Sequence, residues 1–130
     1  MKNLANLENL AKITVQTKNE LENMKQIVDE IARKLRDELK KSIADFEGLY
    51  VFGSQVRGDA TEESDIDIVV LFANKEAKKR NEYYEILSKM DYDYYDIIDL
   101  DVHTRTREEL ERSYRFHDEV VNKGVFYGAV

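Results

Sequence analysis

The sequence predicts an α/β fold of the α+β kind, a small mixed sheet with helices packed on it and an additional helix in front. Three observations predict it. Two short apolar runs, Leu49–Phe52 and Ile68–Phe72, flank a polar loop and read as strands. From Leu21 to Phe46 apolar residues recur every three or four positions, the period of a helix with one buried face. A third apolar run, Ile97 to Val102, is interrupted by acids at every second position.

The chain of 130 residues has the size of one domain, divided here into N-terminal helices over 1–48 and a catalytic core over 49–130. It contains no Cys, so disulfides and thiolate metal sites are excluded. No stretch is long enough to span a membrane, and no signal peptide is evident; a soluble, cytoplasmic protein is expected. Residues 1–48 balance nine basic against nine acidic side chains. Residues 49–130 hold eleven basic and eighteen acidic ones, so the whole surplus of −7 sits in the second part. That part lacks the basic footprint nucleic acid requires, and a nucleic-acid partner is not expected.

Leu4, Leu7, Ala11 and Val15 lie near one face of a leading helix, which offers a stripe for an extra layer, a second copy or a partner. Thr17 and Glu20 have the spacing of a capping box and predict a new start. The second helix then runs to near Gly48, a candidate C′ glycine. After the second strand, Asn74 to about Met90 reads as a charged helix with Ala77, Tyr84, Ile86 or Leu87 and Met90 inward. Asp91 to Asp96 alternates acids and tyrosines; it reads as a surface loop leading into a strand, or as an acceptor-binding or base-stacking patch. The third strand follows at Ile97–Val102. Thr106 and Glu109 form another capping box, opening a final helix to about Asn122 with Leu110, Tyr114, His117 and Val121 on one side. His117 reads as packed and His103 as an isolated histidine. Val125–Tyr127 closes the chain.

The chemistry concentrates between Val51 and Leu71. Residues two apart in a strand share a face, so Asp65 and Asp67 present two carboxylates together while Ile66 and Ile68 point inward. Paired anions need a cation, and Mg²⁺ is held by one or two carboxylates completed by waters and phosphates. Gly53 permits a sharp turn and close approach, and Ser54 adds a hydroxyl beside N–H groups at a helix start, a seat for phosphate. Arg57 can reach those phosphates or brace the loop against Asp59, Glu62 or Glu63. Asp99 and Asp101 also share a face, and both are candidates for a third carboxylate.

Gly53-Ser54, ten residues, then Asp65-Ile66-Asp67 resembles the signature of the DNA polymerase beta-like nucleotidyltransferase superfamily, in particular its minimal nucleotidyltransferase (MNT) branch; the resemblance extends from Leu49 to about Tyr127. It implies the nucleotidyltransferase fold, with Asp65 and Asp67 as catalytic metal ligands and a third carboxylate on a neighbouring strand. Counting back in the family register from Thr106 favours Asp101, with Asp99 as alternative. It also implies Gly53, Ser54 and Arg57 at the nucleotide, Mg²⁺ as cofactor with Mn²⁺ as substitute, and ATP as substrate. Small stand-alone members resemble antitoxins of HEPN/MNT toxin–antitoxin pairs, which transfer AMP to a tyrosine of the partner toxin. The alternatives are a non-catalytic binding antitoxin and a small-molecule nucleotidyltransferase completed by a separate helical substrate-binding subunit.

Overall fold

The computed structural model describes the backbone of residues 4–61, 64–76 and 80–130, with side chains from residue 22 onward within those ranges. The elements are α1 (Leu4–Ser42), β1 (Phe46–Phe52), α2 (Ser54–Arg57), β2 (Ile66–Phe72), α3 (Asn81–Tyr94), β3 (Leu100–Arg105), α4 (Arg107–Arg112), α5 (Tyr114–His117), a π-helical turn (Asp118–Asn122) and β4 (Val125–Gly128). The four strands form a mixed sheet in the order β3-β2-β1-β4, with β2 and β3 parallel and the other pairs antiparallel. Helix α3 is the crossover that a parallel pair requires. The part of α1 up to Glu30 forms one compact unit and Ile31–Val130 the other.

The leading helix is present, but as the first turns of one 39-residue helix. The backbone is helical through Thr17 and Glu20, so Thr17 cannot serve as an N-cap, whose dihedrals must be non-helical. The stripe Leu4, Leu7, Ala11, Val15 and a second copy docked on it lie outside the described side chains. At its other end α1 stops at Ser42, earlier than expected, and Phe46 and Gly48 belong to β1. Gly48, at φ 151°, sits where the pairing of β1 with β2 shifts register. The bulge lets Phe46 and Leu49 share a face although they are three apart.

One face of the sheet carries Leu49, Val51, Ile66, Ile68, Val70 and Phe72, all at most 1% exposed. Phe72 meets Phe46 and Tyr83 edge-on, ring centres 6.0 and 5.1 Å apart, which seats α3 on this side. Lys34 Nζ donates to Tyr94 Oη (3.2 Å), joining the buried stripe Ile31, Leu35, Leu39 of α1 to α3. Tyr83 therefore takes the inward place expected of Tyr84, which is 56% exposed. Burial pushes the Tyr83 hydroxyl up to about 12, so it stays protonated in its hydrogen bond with Thr104 Oγ1 of β3.

Helix α3 starts at Asn81 instead of Asn74 and runs on to Tyr94, so most of the Asp91–Asp96 stretch is helix and not loop. Ala77 lies outside the described residues. The turn after α3, where Ile97 and Ile98 N–H both donate to Tyr94 O, delays β3 to Leu100.

The opposite face holds Tyr50, Phe52, Val69 and Leu71 under Leu110 and Val120, with Phe116 and Val121 packed against them. The final helix is broken at Ser113, whose dihedrals (φ −100°, ψ 98°) are extended. The break changes the helical phase, so Tyr114 turns out to 90% exposure while Val120 turns in. Ahead of it the expected capping box is complete: Thr106 Oγ1 accepts from Glu109 N (3.2 Å) and Glu109 Oε1 from Thr106 N (3.0 Å). Among the described residues no helix is long and apolar enough to cross a membrane.

Removing the cap in Thr106→Ala leaves the Glu109 N–H without its side-chain acceptor. The expected loss is about 1 kcal/mol of unfolding free energy, read as a lower urea midpoint with unchanged slope.

Candidate active site

Both strands that carry acids start at the same end of the sheet. In the parallel register of β2 and β3, Asp67 stands opposite Asp101, Ile68 opposite Val102 and Val69 opposite His103. Partners in register point to the same side, and adjacent strands lie about 4.8 Å apart, so the Asp67 and Asp101 carboxyls are neighbours. Burial, then the charge and hydrogen bond of Asp101, then the charge of Asp65 all raise the Asp67 carboxyl above the usual carboxylate range; His103 opposes them. Asp65 lies one residue before β2 and is exposed.

Asp99 takes a different position. It precedes β3, is exposed, and its carbonyl accepts from Ile66 N (2.9 Å), while its side chain lines a small cavity with Asp65 and Tyr95. The structure thus brings Asp101 beside Asp67 and sets Asp99 outward.

Gly53 lies opposite this pair, at the end of β1. Its backbone (φ 80°, ψ −151°) is open essentially to glycine alone, and a Cβ built there would collide with Asp67 Oδ2. The glycine is required twice over. It opens α2, one helical turn in which Val56 and Arg57 N–H donate to Gly53 O (3.1 and 3.0 Å) and Gly58, left-handed at φ 89°, ends it with its N–H on Ser54 O (3.1 Å). The first N–H groups of a helix have no intrahelical acceptor; here they belong to Ser54 and Gln55. They sit beside the carboxylate pair because the glycine does.

Arg57 is turned to neighbouring acids. Its Nη1 donates to Glu119 Oε1 of the π-helical turn and its Nε lies 3.3 Å from Asp59 Oδ1. It braces the loop against Asp59, one of the two roles the sequence leaves open, and against Glu119, which sequence spacing does not reveal. Gln55 Nε2 donates to Ser64 O (3.3 Å) and Thr61 N donates to Ser64 Oγ (2.8 Å), which anchors Ser64 just ahead of Asp65.

One residue of the site was passed over. His103 Nε2 lies 3.5 Å from Asp101 Oδ2, and its ring packs against Phe116 and Phe52, centres 5.7 and 6.0 Å away. The signal was the period of two, Asp101 and then His103 on one face. A larger cavity of about 560 Å³ lies at the other end of β2, beside Phe72, Asn74, Lys75 and Thr106, and contains no candidate site residue.

Among the described residues no three His, Asp or Glu side chains surround one point. What exists is a close pair with a third acid within electrostatic reach, beside the glycine that opens α2. This donor set fits a hard divalent cation that takes one or two carboxylates and leaves its remaining places to water and phosphate.

A mixed sheet with helices on it, a Gly-Ser turn and acids on adjacent strands define a nucleotidyl-transferring enzyme. The chain belongs to the nucleotidyltransferase domain family, which matches residues 28–127. It is 35% identical over 95 residues to an inferred protein adenylyltransferase of Methanocaldococcus jannaschii, covering 72% of this chain and 85% of that one. Its fold is similar to the crystal structure of an inferred nucleotidyltransferase from Sulfolobus solfataricus, with TM-score 0.56, 21% identity, and coverage of 82% and 85%. It is also similar to a chain in the crystal structure of a toxin–antitoxin with AMP-PNP, with TM-score 0.51, 25% identity, and coverage of 76% and 72%.

Because its carboxyl is raised, ionised Asp67 opposes folding: the penalty is absent below the unfolded pKa and grows as pH rises through the folded one. Asp67→Asn is expected to melt higher than the wild type at neutral pH in EDTA, and the difference should vanish as pH falls below the usual Asp range. Gly53→Ala should lose about 1–3 kcal/mol of stability from backbone strain, with displacement of Asp67 seen as lost binding of Mg²⁺ and AMP-PNP.

Proposed function

We propose that this nucleotidyltransferase moves AMP from ATP to a tyrosine hydroxyl of a partner protein, the HEPN toxin that it silences as an antitoxin in the cytoplasm. The observation that carries the reading is the junction of Gly53, Asp67 and Asp101, where the start of α2 meets paired carboxylates. Two relatives support its finer parts: one an inferred protein adenylyltransferase, the other part of a toxin–antitoxin structure containing AMP-PNP. The helical HEPN partner itself is inferred from the MNT-like motif.

In this reading residues 1–130 act as one nucleotidyltransferase domain, and Asp65, Asp67 and Asp101 hold Mg²⁺, or Mn²⁺ in its place. The cation supplies Lewis-acid polarisation of the α-phosphoryl group and offsets phosphate charge. The Ser54 and Gln55 N–H groups and the Ser54 hydroxyl receive the terminal phosphates. Asp101 accepts the acceptor hydroxyl proton as the oxygen bonds to the α-phosphorus and pyrophosphate leaves. His103, against the far oxygen of Asp101, limits its rotation. Arg57 stays on Glu119 and Asp59, holding the turn that carries the amides.

The test is transfer of label from α-labelled ATP to the cognate partner with Mg²⁺. Label should appear on a partner tyrosine, and Asp65→Asn combined with Asp67→Asn should lower it by at least about a hundred-fold, the range for loss of transition-state charge stabilisation. Undiminished transfer by that double variant would contradict the catalytic reading. Neutralisation of the partner without any transfer would favour the binding antitoxin.

A further inference from the structure

The cavity beside Asp65 carries a feature that the reaction above does not use. It measures about 140 Å³ and is lined by Ser64 and Asp65 on one side and by Tyr95, Asp96, Ile98 and Asp99 on the other. Asp65 belongs to both this cavity and the carboxylate site, so the cavity adjoins the place where a triphosphate would react.

Tyr95 is unusual among the exposed aromatics for its mounting. The preceding Tyr94 is 7% exposed and held by Lys34 Nζ, and its carbonyl accepts from both Ile97 and Ile98 N–H (2.9 Å each). Ile98 is 6% exposed, and the next residue, Asp99, is tied through its carbonyl to Ile66 N. The turn is therefore held by α1 at its start and by β2 at its end, while Tyr95 itself is 71% exposed. A nucleophile held beside a reacting group in one molecule gains the advantage of an intramolecular reaction.

We propose that Tyr95 is itself an acceptor, so that the enzyme adenylylates its own chain. The proposal rests on the reading of the protein as an AMP transferase to tyrosine. In the step, Tyr95 Oη bonds to the α-phosphorus of the nucleoside triphosphate and the bond from that phosphorus to the pyrophosphate oxygen breaks. The phenol proton passes to a carboxylate of the cavity wall, for which Asp99 is placed, and pyrophosphate departs. The product is a tyrosyl phosphodiester on the turn between α3 and β3. Asp99, set aside from the pair at Asp67, acquires a role on the acceptor side.

The neighbouring tyrosines supply the controls. Tyr92 is 77% exposed and its ring lies 6.5 Å from that of Tyr95, yet it does not line the cavity; Tyr114, 90% exposed, opens α5. Mere exposure would favour them over Tyr95.

The full chain incubated with α-labelled ATP and Mg²⁺, without partner, should take up label that peptide mass spectrometry places on Tyr95. Tyr95→Phe should reduce the label to background, Tyr92→Phe should retain it, and the rate per molecule should not change on dilution. Binding of Mg²⁺ and AMP-PNP by Tyr95→Phe, measured calorimetrically, should match the wild type, since the ring belongs to the acceptor side. Label on Tyr92 or Tyr114 instead, a rate that falls on dilution, or lost nucleotide binding in Tyr95→Phe overturns the inference. A labelled cognate partner beside an unlabelled enzyme overturns it alone; no label on either overturns the parent reading with it.

Discussion

The structure depends on an electrostatic conflict built into strand register. Pairing β2 with β3 in parallel sets Asp67 against Asp101, and the start of β2 adds Asp65. Burial and both neighbouring acids raise the Asp67 carboxyl, so the free protein carries this arrangement at a cost. A fold selected for stability alone would place an apolar or oppositely charged pair there. In the proposed function a cation joining the acids would relieve the conflict and so allow a nucleotide to be held.

The rest of the fold holds that conflict in place. Ile66 and Ile68, between and beside the acids, are completely buried on the other face, so β2 cannot slip by one residue without exposing them. Gly53 allows β1 to end directly against Asp67, and α2 is closed at both ends by glycines with positive φ. Arg57 ties this turn to Glu119 in the π-helical segment, so the last helical region braces the amides although it adds no carboxylate to the Asp67 pair. Such π-helical insertions recur at functional sites.

Much of the site was legible in the sequence because its signals are local. The Gly-Ser turn and the capping box at Thr106 each require only neighbours within a few residues and form where expected, whereas of the period-two acids only Asp67 and Asp101 fall within strands. What the sequence concealed depends on distant partners. Thr17 and Glu20 satisfy the pattern of a cap, yet the helix continues through them. Gly48 resembles a helix stop, but serves a bulge that can be recognised only once β1 is paired with β2. Tyr83 and Tyr84 are adjacent and equally hydrophobic; contact with Phe72 and Thr104 selects Tyr83. The choice between Asp99 and Asp101 turns on where β3 begins and how it pairs with β2, and the turn after Tyr94 delays that start from Ile97 to Leu100.

The central claim is that Gly53, Asp67 and Asp101 form a cation-dependent nucleotide site. Calorimetric titration of AMP-PNP into the purified chain tests it most directly. The account predicts binding in Mg²⁺, none in EDTA, and none in Asp67→Asn or Asp101→Asn under either condition. Equal affinity in EDTA and Mg²⁺, or binding undiminished by both substitutions, would contradict it.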